Sequence, residues 1–167
     1  MSIAQSLLPE FDHETAVTRT LLERVPDARA DWAPHAKSMT LGRLAIHLAS
    51  LPSWVAPTLR DSAIDLAPEG KPAWLPPTWQ STAHALQVFA EATTKARAAI
   101  AVATDLEMAQ PWTLKKAGET MFTMPRAAVL RSFVFNHSVH HRAQLGVYLR
   151  LLDVAVPSMY GPTADTQ

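Results

Sequence analysis

Proline placement constrains this chain more than any other feature: most of its 13 prolines fall between segments of helical apolar periodicity, not inside them. Proline removes a backbone N–H and clashes with the preceding turn, so the segments it spares are free to run as long helices. Four such segments are predicted. The first spans about residues 6–24, with Pro9 in its first turn. The second starts at Leu41 after the capping sequence "SMT" and continues to about Arg60, with Pro57 bending it or ending it early. The third runs from about Ser81 to Thr104, and the fourth from Pro125 to about Asp153, where a tail containing Pro157 stops it. Between the second and third lies "DSAIDLAPEGKPAWLPPTW", long enough to cross a bundle from end to end; a connector of this size covers something or lines a site. Before the fourth, "PWTLKKAGETMFTMP" alternates around "KKAGE" and predicts a small β-hairpin. The expected fold is a single all-α domain over residues 1–167, a four-helix bundle with a long crossover between helices two and three.

Charge and composition narrow the function. The 15 basic and 15 acidic residues cancel, so nothing favours nucleic acid or an anionic membrane as partner. No apolar run approaches a membrane span, and "MSIAQSLLPEFDHE" lacks the pattern of a secretory leader, which predicts a cytoplasmic protein. The glycosylation sequon at Asn136 is then accidental. With no cysteine there is no disulfide framework and no thiolate ligand, so a metal would be held by His, Asp, Glu or water.

The stretch "FVFNHSVHHRAQLGVYLRLL" puts histidines where leucines are expected. At about 100° per residue from His137, His141 falls at about 40°, Leu130 and Tyr148 at about 20° and Phe133 at about −40°. Both histidines lie inside the predicted core stripe, with Arg131, Arg142 and Arg150 on the opposite, solvated face. His140, at about −60°, sits at the margin. On the second helix His47 shares an apolar face with Leu44, Leu51 and Trp54. Three inward imidazoles are costly unless each polar nitrogen finds a partner, and a metal ion supplies one to all three. Residues i and i+4 project side by side, so His137 and His141 can grip one ion while His47 closes a three-nitrogen face with open positions left over. Imidazole ligands suit Zn²⁺ and also Ni²⁺, Fe²⁺ or Mn²⁺. The alternative is three core histidines satisfied by ordinary hydrogen bonds.

These residues resemble a known family. "LGRLAIHLASLPSW", "NHSVHHRAQLGVYLR" and the closing "VPSMYGPTAD", together with "LLERVPDARADWAPHAKSMTLG" after the first helix, are similar to the DinB/YfiT-like metalloenzymes over nearly the whole chain. The resemblance implies an up-down-down-up four-helix bundle, often homodimeric, with His47, His137 and His141 as ligands of a divalent metal, zinc or nickel foremost. In the wider superfamily it implies thiol-dependent transferases and isomerases that use bacillithiol or mycothiol.

Other chemistry is thinly represented. Glu10 and His13 form one Glu-x-x-His unit, where a di-iron bundle needs two such units and two further Glu. His35 and His84 have no inward setting. No Glu follows His137 in the H-E-x-x-H manner, so the usual metalloprotease base is missing. Gln144 and Tyr148 fall at about −20° and about 20° and are candidates to line the cavity or orient a ligand. Arg97, at the edge of the third helix's stripe, is a candidate for an anionic substrate. Trp32, Trp54, Trp74, Trp79, Trp112 and Tyr160 are candidates for the wall of an apolar pocket or for core and lid packing. The expected function is thus a metal-dependent enzyme on a small molecule, by transfer of a low-molecular-weight thiol or by hydrolysis with activated water. The competing expectation is a non-catalytic homodimeric metal-binding or stress-response bundle.

Overall fold

A computed structural model describes residues 2–73 and 75–166. Trp74 of the connector lies outside the described residues. Helix α1, Ile3–Leu22, opens with a capping box: the Ser2 hydroxyl accepts from the Gln5 N–H while the Gln5 side chain accepts from the Ser2 N–H. This cap starts the helix before Ser6, so Pro9 lies inside it and not in its first turn. The carbonyl that Pro9 leaves unpaired belongs to Gln5, an exposed residue that water can reach. Helix α2, Leu41–Ser50, is capped by Thr40, then tightens into a 3₁₀ turn over Leu51–Trp54 before continuing as α3, Val55–Arg60. The break falls at Pro52, not Pro57. Pro57 occupies the first turn of α3, where its missing N–H would have had no helical partner. Ser81 caps α4, Thr82–Val102, and a capping box of Thr104 and Glu107 starts the short α5, Asp105–Ala109, which periodicity did not predict.

The hairpin is present as β2, Pro111–Lys116, and β3, Glu119–Pro125, joined through Ala117 and Gly118. Both turn residues have positive φ, 53° and 81°, as a two-residue hairpin turn matched to strand twist requires. The connector contributes β1, Ala63–Asp65, which pairs parallel with β2. The Asp65 carboxylate then accepts from the N–H groups of Ala117 and Gly118 at 3.0 and 2.7 Å. The fold is therefore mostly helical with a three-stranded sheet, not all-α. Three residues carry no readable strand period; their pairing comes from β2, far along the chain.

The last helical stretch has three parts: α6, Arg126–Val129; a π-helical segment, Leu130–Asn136; and α7, His137–Leu151. Asp153, with φ 57°, turns the chain in a left-handed cap, and the Val154 N–H returns to the Leu149 carbonyl, so the helix stops before Pro157 is reached. α1 and α2 each pack against both α4 and α7. One core cluster gathers Leu21, Leu44, Leu48, Phe89, Leu145 and Leu149; a second gathers Phe11, Ile100, Met108, Leu130 and Phe135; a third lies at the sheet around Trp112 and Leu114. Among the described residues no helix is long and apolar enough to cross a membrane.

α7 buries a different arc from the predicted one. His141, Arg142, Leu145, Gly146, Tyr148 and Leu149 are buried, about 20° to 180° on the wheel, whereas His140, Gln144, Val147 and Leu151 are exposed. Arg142 is 1% exposed and does not belong to a solvated face. Its guanidinium donates to the Glu14 carbonyl at 2.9 Å, to the Glu14 carboxylate, to Thr18 Oγ1 and to the Tyr160 hydroxyl. Arg131 and Arg150 are half exposed, paired with Glu10 and Asp165.

Candidate metal centre

His47 faces inward because α2 turns Leu44, Leu48 and Leu51 into the core around it, and the Ser50 hydroxyl donates to the His47 carbonyl at 2.8 Å where the helix tightens. His137 and His141 stand at the edge of the buried arc of α7, not at its centre. That edge leaves His137 half-buried and His141 buried, so the cluster adjoins solvent on the side of the exposed His140 and Gln144.

The three imidazoles meet. Nε2 of His137 lies 3.4 Å from Nε2 of His47 and 2.9 Å from Nε2 of His141, and one nitrogen from each of the three rings falls within 4.8 Å of the others. The Gln144 carbonyl oxygen accepts from His141 Nδ1 at 2.7 Å, so that nitrogen carries the proton and Nε2 is left as a lone pair. The Phe133 backbone carbonyl, one turn before His137, favours the protonated ring, against the larger opposing effect of burial. The π segment helps here: the His137 N–H donates to Val134, three residues back, and not to Phe133 as in a regular α-helix.

At 2.9 Å the lone pair on His141 Nε2 is within reach of a proton on His137 Nε2 or, with both nitrogens unprotonated, of a shared cation. Donors of one tetrahedral zinc, at Zn–N of about 2.0–2.1 Å, stand about 3.3 Å apart. The 3.4 Å pair matches that spacing and the 2.9 Å pair would open by a few tenths of an ångström. The donor chemistry also fits, because burial holds all three imidazoles in the neutral, ligating form. Burial, reinforced by the charges of His141, His137 and Arg43, takes His47 from its ordinary 6.5 to about 4. His137 is lowered chiefly by burial, and His141 likewise, against the opposing bond to Gln144.

The remaining candidates divide. Gln144 orients a site histidine. His140 packs its ring against His141, centroids 4.8 Å apart, but is exposed and outside the three-nitrogen group. Tyr148 is a core residue: its hydroxyl donates to the Met39 carbonyl at 3.3 Å and its ring meets Trp32 edge-on. Arg97 is turned to α1, where it forms two bonds to the Asp12 carboxylate at 2.8 and 3.0 Å on an exposed surface. Periodicity placed it at a stripe's edge but could not show that Asp12 faces it. His13 and His35 are exposed and His84 is partly buried at the start of α4. Trp112 is fully buried beside the sheet, Trp32 and Trp79 pack on the first core cluster, Trp54 on the second and third, and Tyr160 closes over Arg142. Two residues that sequence reasoning passed over lie near the histidines: Phe133, through its carbonyl, and Arg43, one turn before His47. The i−4 spacing to His47 was the available signal for Arg43.

Two solved structures share this fold. A DinB-like protein from Bacillus cereus is 23% identical with a TM-score of 0.71, covering 95% of this chain and 98% of its own. A DinB-like protein from Bacillus subtilis is 17% identical with a TM-score of 0.67, covering 97% and 99%. No curated protein matches the chain. The family model described as the DinB family matches residues 1–167, and the chain belongs to that family.

Proposed function

We propose that the protein is a divalent-metal-dependent enzyme that transfers a low-molecular-weight thiol onto a small molecule, with hydrolysis as the second chemistry its centre could support. The observation that carries this is the convergence of the His47, His137 and His141 nitrogens at one edge of the core, with no fourth His, Asp or Glu joining them among the described residues. A closed structural site would have four protein ligands; three leave a position for a reactant. A divalent cation held there supplies Lewis-acid polarisation of a thiol, a water or a carbonyl oxygen. The chain's own part is to keep three imidazoles neutral by burial, to fix His141 through Gln144, and to leave one side of the cluster accessible.

Zinc or nickel is the proposed ion. The helices α1, α2 with α3, α4, and α6 with α7 are proposed to run as an up-down-down-up bundle, which the packing of α1 and α2 against both α4 and α7 supports. The proposed assembly is a cytoplasmic homodimer. The test is titration of cobalt-substituted protein with azide and with 2-mercaptoethanol. A change in the visible spectrum on either addition is the expected result, and a spectrum unchanged by both would make the site structural.

A further inference from the structure

The cluster's own histidines are held neutral, so any counter-charge for an anionic reactant beyond the proposed cation comes from another residue. Arg97 does not provide it, being engaged by Asp12. The geometry points to Arg43 as the anchor for the carboxylate of a small molecule with an apolar body, bound in the cavity between the start of α2 and the Pro-rich connector. This inference rests on the metal-centre reading: none of the three histidines lines the cavity, and the single helical turn from Arg43 to His47 is what relates a ligand held there to the centre.

Three observations converge. First, Arg43 stands one helical turn before His47 on the same face of α2, close enough for its positive charge to act on the His47 ring. Second, the exposed Arg43 side chain makes no ion pair or hydrogen bond with the described residues; Arg24 and Arg29 are likewise unpaired but do not line this cavity, and Arg19, Arg60, Arg97, Arg131, Arg142 and Arg150 each pair with a carboxylate. A guanidinium fork matches a carboxylate with two parallel hydrogen bonds, and this one is free to do so. Third, Arg43 lines a cavity of about 330 Å³ with Thr40, Ile46, Pro76, Trp79 and Asp31. That is the volume of a small-ligand site.

The cavity wall is fitted. Trp79 lies against the backbone of Gly42, where any Cβ would come within 2.7 Å of the indole Cγ, so only glycine allows the ring to lie so close beside Arg43. Ile46, Pro76 and Trp79 offer apolar surface for the body of the ligand. Asp31 contributes a negative charge to the same cavity, which matches a single carboxylate better than a polyanion.

The experiment uses the full chain loaded with zinc and titrated with benzoate, followed by tryptophan fluorescence and calorimetry, with benzyl alcohol as the neutral control. Zinc content is measured on every variant. The expected result is that benzoate binds more tightly than benzyl alcohol, that Arg43→Gln weakens benzoate by about tenfold or more while Arg43→Lys loses less, and that Asp31→Asn tightens it, all with unchanged zinc. Benzoate binding equal in wild type and Arg43→Gln, or no preference over benzyl alcohol, would overturn the anchor. Wild-type protein that takes up no zinc but still binds benzoate through Arg43 would keep the anchor and overturn the metal centre, so the two failures are distinct.

Discussion

α7 carries two polar clusters one residue apart, and they are built to opposite ends. Arg142 is almost wholly buried, yet its guanidinium finds the Glu14 carbonyl and carboxylate, Thr18 and Tyr160, and the Tyr160 hydroxyl donates to Glu14 at 2.7 Å. Charge meets charge and donors meet acceptors. At His141 three neutral rings meet with no carboxylate among them, the Nε2 atoms of His137 and His141 lying 2.9 Å apart with that of His47 beside them. The first cluster ties the C-terminal tail to α1 and needs nothing further. The second gathers three imidazole nitrogens within 4.8 Å of one another, and a divalent cation is the partner proposed for them.

The sharpest way to break the comparison is to remove one partner from each cluster. Arg142→Ala strands the Glu14 carboxylate and should cost about 3–5 kcal/mol in denaturant unfolding, with bound metal per chain unchanged. His137→Ala should do the reverse: it abolishes metal uptake and the metal-dependent part of the stability, about 2.7 kcal/mol when free metal is a hundred times its Kd, while the metal-free variant unfolds near the wild-type midpoint. Equal loss of stability and metal in both variants would mean the clusters are one unit.

A smaller effect is expected from Gln144→Leu, which frees the His141 ring to turn and should weaken metal affinity by about 10–100-fold in competition with a chromophoric chelator. The pH dependence of the metal-free protein sharpens the picture further. Unfolded imidazoles protonate near the ordinary 6.5, whereas folded His47 does so at about 4, so between those values the unfolded chain binds more protons. The histidine contribution to stability is therefore full above about pH 6.5 and lost as pH falls through about 4. Melting curves across that range should show the decline, and His47→Gln should flatten it. Arg97→Ala, which removes only an exposed pair with Asp12, should leave melting temperature and metal content close to wild type.

The histidine triad was legible in the sequence because it uses local rules. The four-residue step from His137 to His141 and the apolar face around His47 are set by helix periodicity, and the hairpin by the alternation around Gly118. What escaped depends on distant partners or on broken periodicity. Arg142 falls opposite His137 on an ideal wheel, and only Glu14 and Tyr160, at the two ends of the chain, make its burial tolerable. β1 exists because β2 pairs with it. The π segment at Leu130–Asn136 changes the turn per residue just before His137, so wheel positions carried across it, such as that of Phe133, lose their meaning.

Whether the three histidines hold a metal is decided by the metal content of tag-free protein, wild type and His137→Ala, measured by elemental mass spectrometry as purified and after dialysis against zinc. The wild type should hold close to one equivalent and the variant only a trace. No metal in either protein, before or after dialysis, with coincident melting curves, would contradict it and leave His47, His137 and His141 as core residues.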